Sequence, residues 1–381
     1  PEFANRDQQP SEVWRSYGHV FQTPSHAAKT AVRLGQWHMS GKVQFQSAAL
    51  RPVLPVHTQV GEWIFGAGES IRKGLYCFQT RFTHEGSNYH RTLHHATAGF
   101  NSNRWSFGRN QEVVYRFALP EHAFQAGKVR FGVCYHHAGR ILLEASRNGA
   151  DWQSVAERAE PGTTEATIPD TLLPAEQIYV RFRTPEESCA VQVDHVEFTA
   201  QVDDTTLDAM GRTVFAEVFE PSGRLLVEKM ICESSVGAAP KGLHISARHP
   251  GDGDLAATGR VVVKGADGSV DSLPPVSLKL AGGEVTDIYV PLPAMSAGEN
   301  QLELTLEAGE SSPLVLRTIV EVPDYYRADY GAVVAEAGPA SVWWCRADHK
   351  VPRQRALPNQ KAKGAELSAA RNDYEAVQLV V

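Results

Sequence analysis

No run of 18 consecutive apolar residues occurs in the 381-residue chain, so no segment reads as a membrane-spanning helix. Cysteine is scarce. The five residues, Cys77, Cys134, Cys189, Cys232 and Cys345, stand singly without C-x-x-C spacing, which excludes a disulfide framework and a zinc ribbon and leaves most of them as small buried hydrophobes. A basic excess is also missing: 37 Lys and Arg against 44 Asp and Glu give a formal charge of -7, which argues against nucleic acid or an anionic membrane as partner. Neither a Gly-x-Ser-x-Gly elbow nor a P-loop is present, and Gly66-Ala67-Gly68 lacks the third glycine of a dinucleotide fingerprint. Long stretches of 3.6-residue periodicity are absent too, which turns the reading away from helices.

What the chain does have is many short β-strand patterns between Gly, Pro and Asn turns. Strands are expected at residues 75–81, 113–117, 129–135, 141–145, 178–182 and 191–198, with Asn148-Gly149 as the turn of a hairpin. A second series falls at 261–263, 276–280, 285–290, 301–306 and 314–322, where Gln301-Leu302-Glu303-Leu304-Thr305-Leu306 alternates strictly, leucine inward. Residues 341–348 and 374–381 form a third group; in the latter Tyr374, Ala376, Gln378 and Val380 share the inward side. The fold class is therefore all-β, a tandem of β-sandwiches: a jelly-roll sandwich, an immunoglobulin-like one, and the opening of a third.

The expected division is a Pro/Gln/Ser-rich lead-in at 1–30, a first sandwich at 31–235, a second at 236–323 and a third beginning at 324–381. The pair of strands at 213–219 and 225–230 is assigned to the first sandwich as its closing hairpin, with the small-residue stretch 234–240 as linker. A chain that closes on Leu379-Val380-Val381 in the middle of a strand pattern leads us to expect the third sandwich to continue past Val381.

Recognition chemistry is concentrated at residues 84–109. His84, Tyr89, His90, Arg91, His94, His95, Asn101, Asn103, Arg104, Trp105 and Arg109 lie within this one window. Aromatics stack on the C–H faces of a sugar, while Arg, Asn and His pair with its hydroxyls, so a glycan or polysaccharide is the ligand this mixture suits. The set singled out is Tyr89, His90, His94, Asn101, Arg104 and Trp105. The alternative is that Trp105 and Phe107 are core residues of a strand 104–107 and the histidines are solvated. Zinc is a poorer reading: Asn88 occupies the second histidine position of His84-Glu85-x-x-His, and the pairs His94-His95 and His136-His137 point to opposite faces of a strand.

Two resemblances add to this. Glu144 to Trp152 (EASRNGADW), Ile178 to Thr184 (IYVRFRT) and Val191 to Thr199 (VQVDHVEFT) resemble the strands of carbohydrate-binding modules and discoidin-like sandwiches, with Asn148 where those have Asp. That resemblance implies a structural calcium held by an early Glu and a late Asp, here Glu69 and Asp194; no other cofactor is expected. At the far end, Val342-Trp343-Trp344 followed by Arg371, Asn372, Tyr374, Glu375 and Gln378 resembles the opening of the N-terminal domain of glycoside hydrolase family 123, with Asp373 where Glu is expected.

The second resemblance covers about a tenth of the chain. It implies a non-catalytic front part of a β-N-acetylhexosaminidase-like, extracellular or periplasmic enzyme, whose catalytic (β/α)₈ barrel lies beyond residue 381 in the same polypeptide. The adjacent Asp-Glu pair of that family's substrate-assisted chemistry occurs nowhere in these residues, so no catalytic residue is expected here. The alternative is a bacterial cell-surface adhesion or protein-interaction module built of β-sandwich repeats.

Overall fold

A computed structural model describes all residues except 1–3, 10, 25–26, 36–39, 81, 83–87, 186–187, 207, 235–240, 294, 310, 323–329, 339, 352–356, 359, 366, 369–370, 372–373 and 375. The chain divides into two compact units, residues 1–53 with 57–213, and residues 54–56 with 214–381. Strand is the dominant structure of both, as the turn-punctuated pattern predicts; among the described residues the one helical element is a single 3₁₀ turn, Asp170–Leu172. No helix is long and apolar enough to cross a membrane.

The first unit is a sandwich of two antiparallel sheets. Five strands run in the order Gln153–Arg158, Ile141–Ser146, Gln177–Arg183, Glu112–Ala118, Leu93–Ala96. The other sheet is ordered Gly162–Thr167, Phe124–Ala138, Ala190–Val202, Leu75–Gln79, Glu69–Arg72, Asp208–Met210, with the short strand Trp105–Phe107 also pairing with Ala190–Val202 and carrying Gly99–Phe100 at its side. Period-2 alternation sends one set of side chains from each sheet into the shared interior. Phe117 stacks on Phe198 with centroids 4.1 Å apart, and Tyr76, Phe78, Tyr115, Phe131 and Phe182 close around them, all buried. Each such aromatic removes roughly 150–250 Å² from water, which makes this cluster the main source of the unit's stability.

The expected strands of this unit are found within one to five residues of their predicted ends. Gly149, in the left-handed region at φ 74, turns the chain between Ile141–Ser146 and Gln153–Arg158, and the Asn148 side chain accepts from the backbone N–H of Ala150 and Asp151 at 2.9 Å. Two edge strands, Gln153–Arg158 and Gly162–Thr167, escaped the sequence reading because their outward-facing polar residues leave almost no apolar alternation. Residues 31–52, assigned to the first sandwich, contain no strand among those described; the first strand of its two sheets is Glu69–Arg72.

The second unit is built on one long antiparallel sheet ordered Val270–Ser272, Leu255–Lys264, Gly298–Glu307, Leu314–Val322, Thr213–Glu220, Val53–Val60, Leu226–Glu233, Gly242–Arg248, Val285–Pro291, with Val276–Leu280 also pairing with Leu255–Lys264. Leu302, Leu304 and Leu306 point into its core as their alternation requires. One assignment is corrected. The hairpin expected to close the first sandwich pairs here instead: Glu217 and Val218 lie opposite Arg317 and Leu316, and Leu226 to Glu233 run against Gly242 to Arg248. Ala216, Leu225 and Met230 are buried in the same core as Leu243 and Leu304, so burial decided the partner where sequence adjacency did not. Asp208–Met210, pairing with Glu69–Arg72, takes the closing place in the first unit. The expected 235/236 boundary and most of the linker lie outside the described residues.

Ala332–Ala337, Ala340–Arg346 and Val377–Val380 form a separate three-stranded sheet over a small core of Val333, Trp343 and Cys345, against which Tyr330, Val351 and Val380 pack. Gln378 Nε2 donates to the carbonyls of Arg346 and His349 at 3.0 and 2.6 Å, stitching the last strand to the preceding turn. Tyr374, expected inward, is 95 % exposed because the strand starts only at Val377. Asn372, Asp373 and Glu375 lie outside the described residues.

Candidate functional site

The 84–109 window is split by strand geometry into an inward and an outward set. Trp105 and Phe107 point inward; Trp105 is 3 % exposed, donates from Nε1 to the Tyr115 hydroxyl at 2.9 Å and meets Phe100 edge-on. A ring enclosed in this way offers no stacking face to a sugar, so the core alternative for Trp105 holds. His90 is enclosed as well, edge-on to Phe78 and Phe82, and burial holds its pKa down to about 3. His90 is therefore a neutral core residue. The Tyr89 hydroxyl lies 3.0 Å from His57 Nε2 with the two rings stacked, and burial pushes its pKa up to about 12. Its polar end is taken up internally.

Arg91 belongs to a buried cluster on the strand Glu69–Arg72. Glu69 Oε1 accepts from the Tyr76 hydroxyl and from Arg91 Nη2, while Oε2 accepts from Arg91 Nε and from the Gly66 backbone N–H, all between 2.5 and 2.7 Å. Burial works against the Arg91 charge, and the Glu69 carboxylate more than restores it. Tyr76 is held in its neutral form well above the ordinary range, first by burial and then by the Glu69 charge.

This cluster decides the calcium expectation. A calcium ion needs carboxylate oxygens that are open to it, and both oxygens of Glu69 are already fully engaged by four donors. Asp194 is exposed on the outer side of its strand, whereas Glu69 points into the sandwich. The residue that lines up with Glu69 on the strand Ala190–Val202, by way of Phe78, is Phe198, which leaves Asp194 roughly 13 Å further along. Glu69 and Asp194 therefore do not form one ion site. Among the described residues no three His, Cys, Asp or Glu side chains gather in a metal-holding arrangement.

The outward set tells a different story. His94 is exposed with its ring edge-on to Tyr179, and His95 lies 3.9 Å from Glu112 Oε1 on the neighbouring strand of the five-stranded sheet. Nearby charges on that face are closed on themselves: Arg181 and Arg183 both donate to Glu144, and Trp152 lies over the Arg181 guanidinium at 4.0 Å. Asn101, half-buried, accepts from the Ser102 hydroxyl and stays in its own loop. His84 lies outside the described residues. Arg104, by contrast, reaches across 88 positions of sequence to a new neighbour: its Nε donates to Gln192 Oε1 at 2.6 Å and its Nη1 to Asn103 Oδ1 at 2.8 Å.

Gln192 lines an open groove of about 260 Å³, together with Ser106, Gly108, Gln111 and Tyr135. The register explains the meeting. Gln192 pairs with Ser106 on one side and with Tyr135 on the other, so the three side chains form a row across three strands on the outer face. Tyr135 is 47 % exposed, leaving much of its ring open to a ligand. Gln111 is fixed at the groove's edge by the Gly108 N–H, which donates to Oε1 at 2.6 Å. Sequence reading missed Tyr135, Gln192, Ser106 and Gln111, since the first three are ordinary outward strand residues and Gln111 an ordinary turn residue until the fold brings them together. The one available signal was Tyr135, an aromatic at an outward position of an otherwise well-patterned strand.

No protein-family profile matches the sequence, and no curated protein matches it. Solved structures with a local likeness include a β-glucuronidase of Bacteroides uniformis, at 10 % identity over 57 % of this chain and 26 % of that one, with a TM-score of 0.22. A family 2 β-galacturonidase of Eisenbergiella tayi bound to galacturonate gives 10 % identity over 62 % and 38 %, with a TM-score of 0.24. A glycosyl hydrolase family 2 member of Bacteroides cellulosilyticus gives 8 % identity over 62 % and 31 %, with a TM-score of 0.19. The chain thus spans well under two thirds of the length of each. At such TM-scores the question of function rests on the residues themselves.

Proposed function

We propose that this chain is the non-catalytic, glycan-binding portion of an extracellular or periplasmic glycoside hydrolase acting on N-acetylhexosaminides, whose catalytic barrel belongs to the rest of the same polypeptide. The observation that carries the binding role is the groove: an exposed aromatic ring with hydrogen-bonding groups beside it from two neighbouring strands and from Gln111 in the turn before a third. A pyranose laid on Tyr135 buries its apolar C–H face against the ring, and its hydroxyls come within reach of Gln192, Ser106 and Gln111. The hydrolase part of the reading is supported by the resemblance of residues 341–381, and Trp343, Cys345 and Gln378 of that stretch build its small sheet.

A groove of this volume takes one or two sugar rings, so the expected affinity is weak, about millimolar, or roughly 4 kcal/mol. Calorimetric titration of the full chain with N-acetylglucosamine and N-acetylgalactosamine disaccharides tests the reading. Saturable binding that Tyr135→Ala weakens by about 1–2 kcal/mol, with the melting temperature unchanged, supports it. Absence of saturation with every saccharide, or binding indifferent to Tyr135→Ala, rejects it.

A further inference from the structure

Two glutamine amides line the groove, and their neighbours fix which end of each is left for a ligand. The Gln192 amide meets Arg104 Nε at 2.6 Å, and the Gln111 amide meets the Gly108 backbone N–H at 2.6 Å. A guanidinium and a backbone N–H can only donate, so the atom they meet is Oε1 in both glutamines. What each amide has left is its NH2 group. Among the described residues neither Nε2 makes a hydrogen bond, and neither amide can turn over without facing a donor with a donor.

The rest of the lining does not counter this polarity. Its other side chains are Ser106, Phe107, Tyr135, Ala190 and Val191, none of them charged at neutral pH. The hydroxyls of Ser106 and Tyr135 rotate to donate or to accept, so they suit either kind of partner. The fixed part of the groove is thus a pair of neutral donors with no carboxylate in the wall. Arg104 strengthens one of them, because a cation bonded to the Gln192 oxygen polarises the amide and makes its N–H groups better donors.

We infer that the groove reads N-acetylation: it takes an amino sugar through the acetamido carbonyl, presented to the NH2 groups of Gln192 and Gln111, and rejects the same sugar once it is deacetylated. This rests on the glycan-binding reading above and adds to it the group that is recognised. An acetamido oxygen carries two lone pairs and no charge, which matches neutral donors, and its methyl group gains apolar surface from the remaining lining. The deacetylated sugar carries an ammonium at the same place. An ammonium has three donors and no acceptor, so at both amides it sets N–H against N–H and forfeits the water that solvated its charge.

The test is ligand-observed NMR titration of the full chain with N,N′-diacetylchitobiose, cellobiose and chitobiose. It is run at about pH 6, where an amine is protonated, and at about 0.15 M salt, which screens the pull of the net charge of -7 on a cation. Diacetylchitobiose is expected to bind at least about tenfold more tightly than chitobiose, with cellobiose between them, since a hydroxyl adapts to a donor but offers no carbonyl. Replacing both donors, Gln111→Leu with Gln192→Leu, should bring the ratio of diacetylchitobiose to chitobiose within about twofold of one. Gln192→Glu exchanges the free NH2 for an acceptor and should raise chitobiose above its wild-type affinity while weakening diacetylchitobiose. Equal binding of the three sugars by wild type, or a ratio unmoved by the double replacement, overturns the inference; if Tyr135→Ala still weakens all three, glycan binding itself stands. If no saccharide binds at all, the glycan-binding reading falls and this inference with it. An unchanged melting temperature for each variant shows that the comparison is between folded proteins.

Discussion

The first unit holds two arrangements of arginine and carboxylate that differ in one respect: whether the carboxylate's lone pairs are used. Glu69 is sealed in the sandwich with four donors around it, two of them from Arg91, whereas the Asp194 carboxylate is exposed on the outer face and Arg104 turns to Gln192 and Asn103. The sealed pair has nothing left to offer a ligand. The outer carboxylate of Asp194 stays open to solvent, and Arg104 is held on Gln192, a residue of the groove wall. Charge type alone would have ranked the two equally, and hydrogen-bond satisfaction is what separates a structural ion pair from a recognition site.

That contrast can be broken from either side. The largest effect is expected from Arg91→Ala, which strands the buried Glu69 charge; urea unfolding should show a loss of about 3–5 kcal/mol from the first unit. If Arg91→Ala unfolds at the wild-type midpoint, the buried cluster is not what holds that edge of the sandwich. Trp105→Ala should cost about 3–5 kcal/mol by leaving a cavity among Phe82, Phe100 and Tyr115. A Trp105→Ala protein of native stability would return that ring to the list of ligand contacts.

Acidification sharpens the comparison further. His90 is held neutral, with a folded pKa of about 3 against about 6.5 for an unfolded chain, so the unfolded state binds the extra proton first. Its contribution is complete above pH 6.5 and is lost as pH falls from there toward 3, at up to about 1.4 kcal/mol per pH unit. Melting curves across that range should flatten in His90→Phe relative to wild type; identical slopes would show that His90 is already protonated in the fold. The smallest stability effect belongs to Tyr135→Ala, within about 0.5 kcal/mol, because that ring is half in water and its loss should be felt only by a ligand.

Much of the fold was legible because alternation is a local property. Leu302, Leu304 and Leu306 declare their inward side within six residues, and Asn148-Gly149 fixes its turn within ten. The site was less legible. Arg104 was identified from its residue type and holds the groove residue Gln192, but Trp105, Tyr89 and His90 were chosen by the same criterion and are taken up internally, because composition does not say which way a side chain points. The swap of Thr213–Glu220 and Leu226–Glu233 into the second sheet was hidden for a related reason. Either sheet could accept an alternating hairpin, and the choice belongs to packing at Ala216, Leu225 and Met230.

By itself, then, the sequence determined the all-β character of the chain and the inward faces of most strands, since turn residues and period-2 burial act over a few positions. Only the tertiary structure decided that Arg104 would meet Gln192, and that Tyr135 and Ser106 would stand in a row with it. Cross-strand register joins segments 88 positions apart through backbone pairing, and no local pattern in either segment encodes the offset between them.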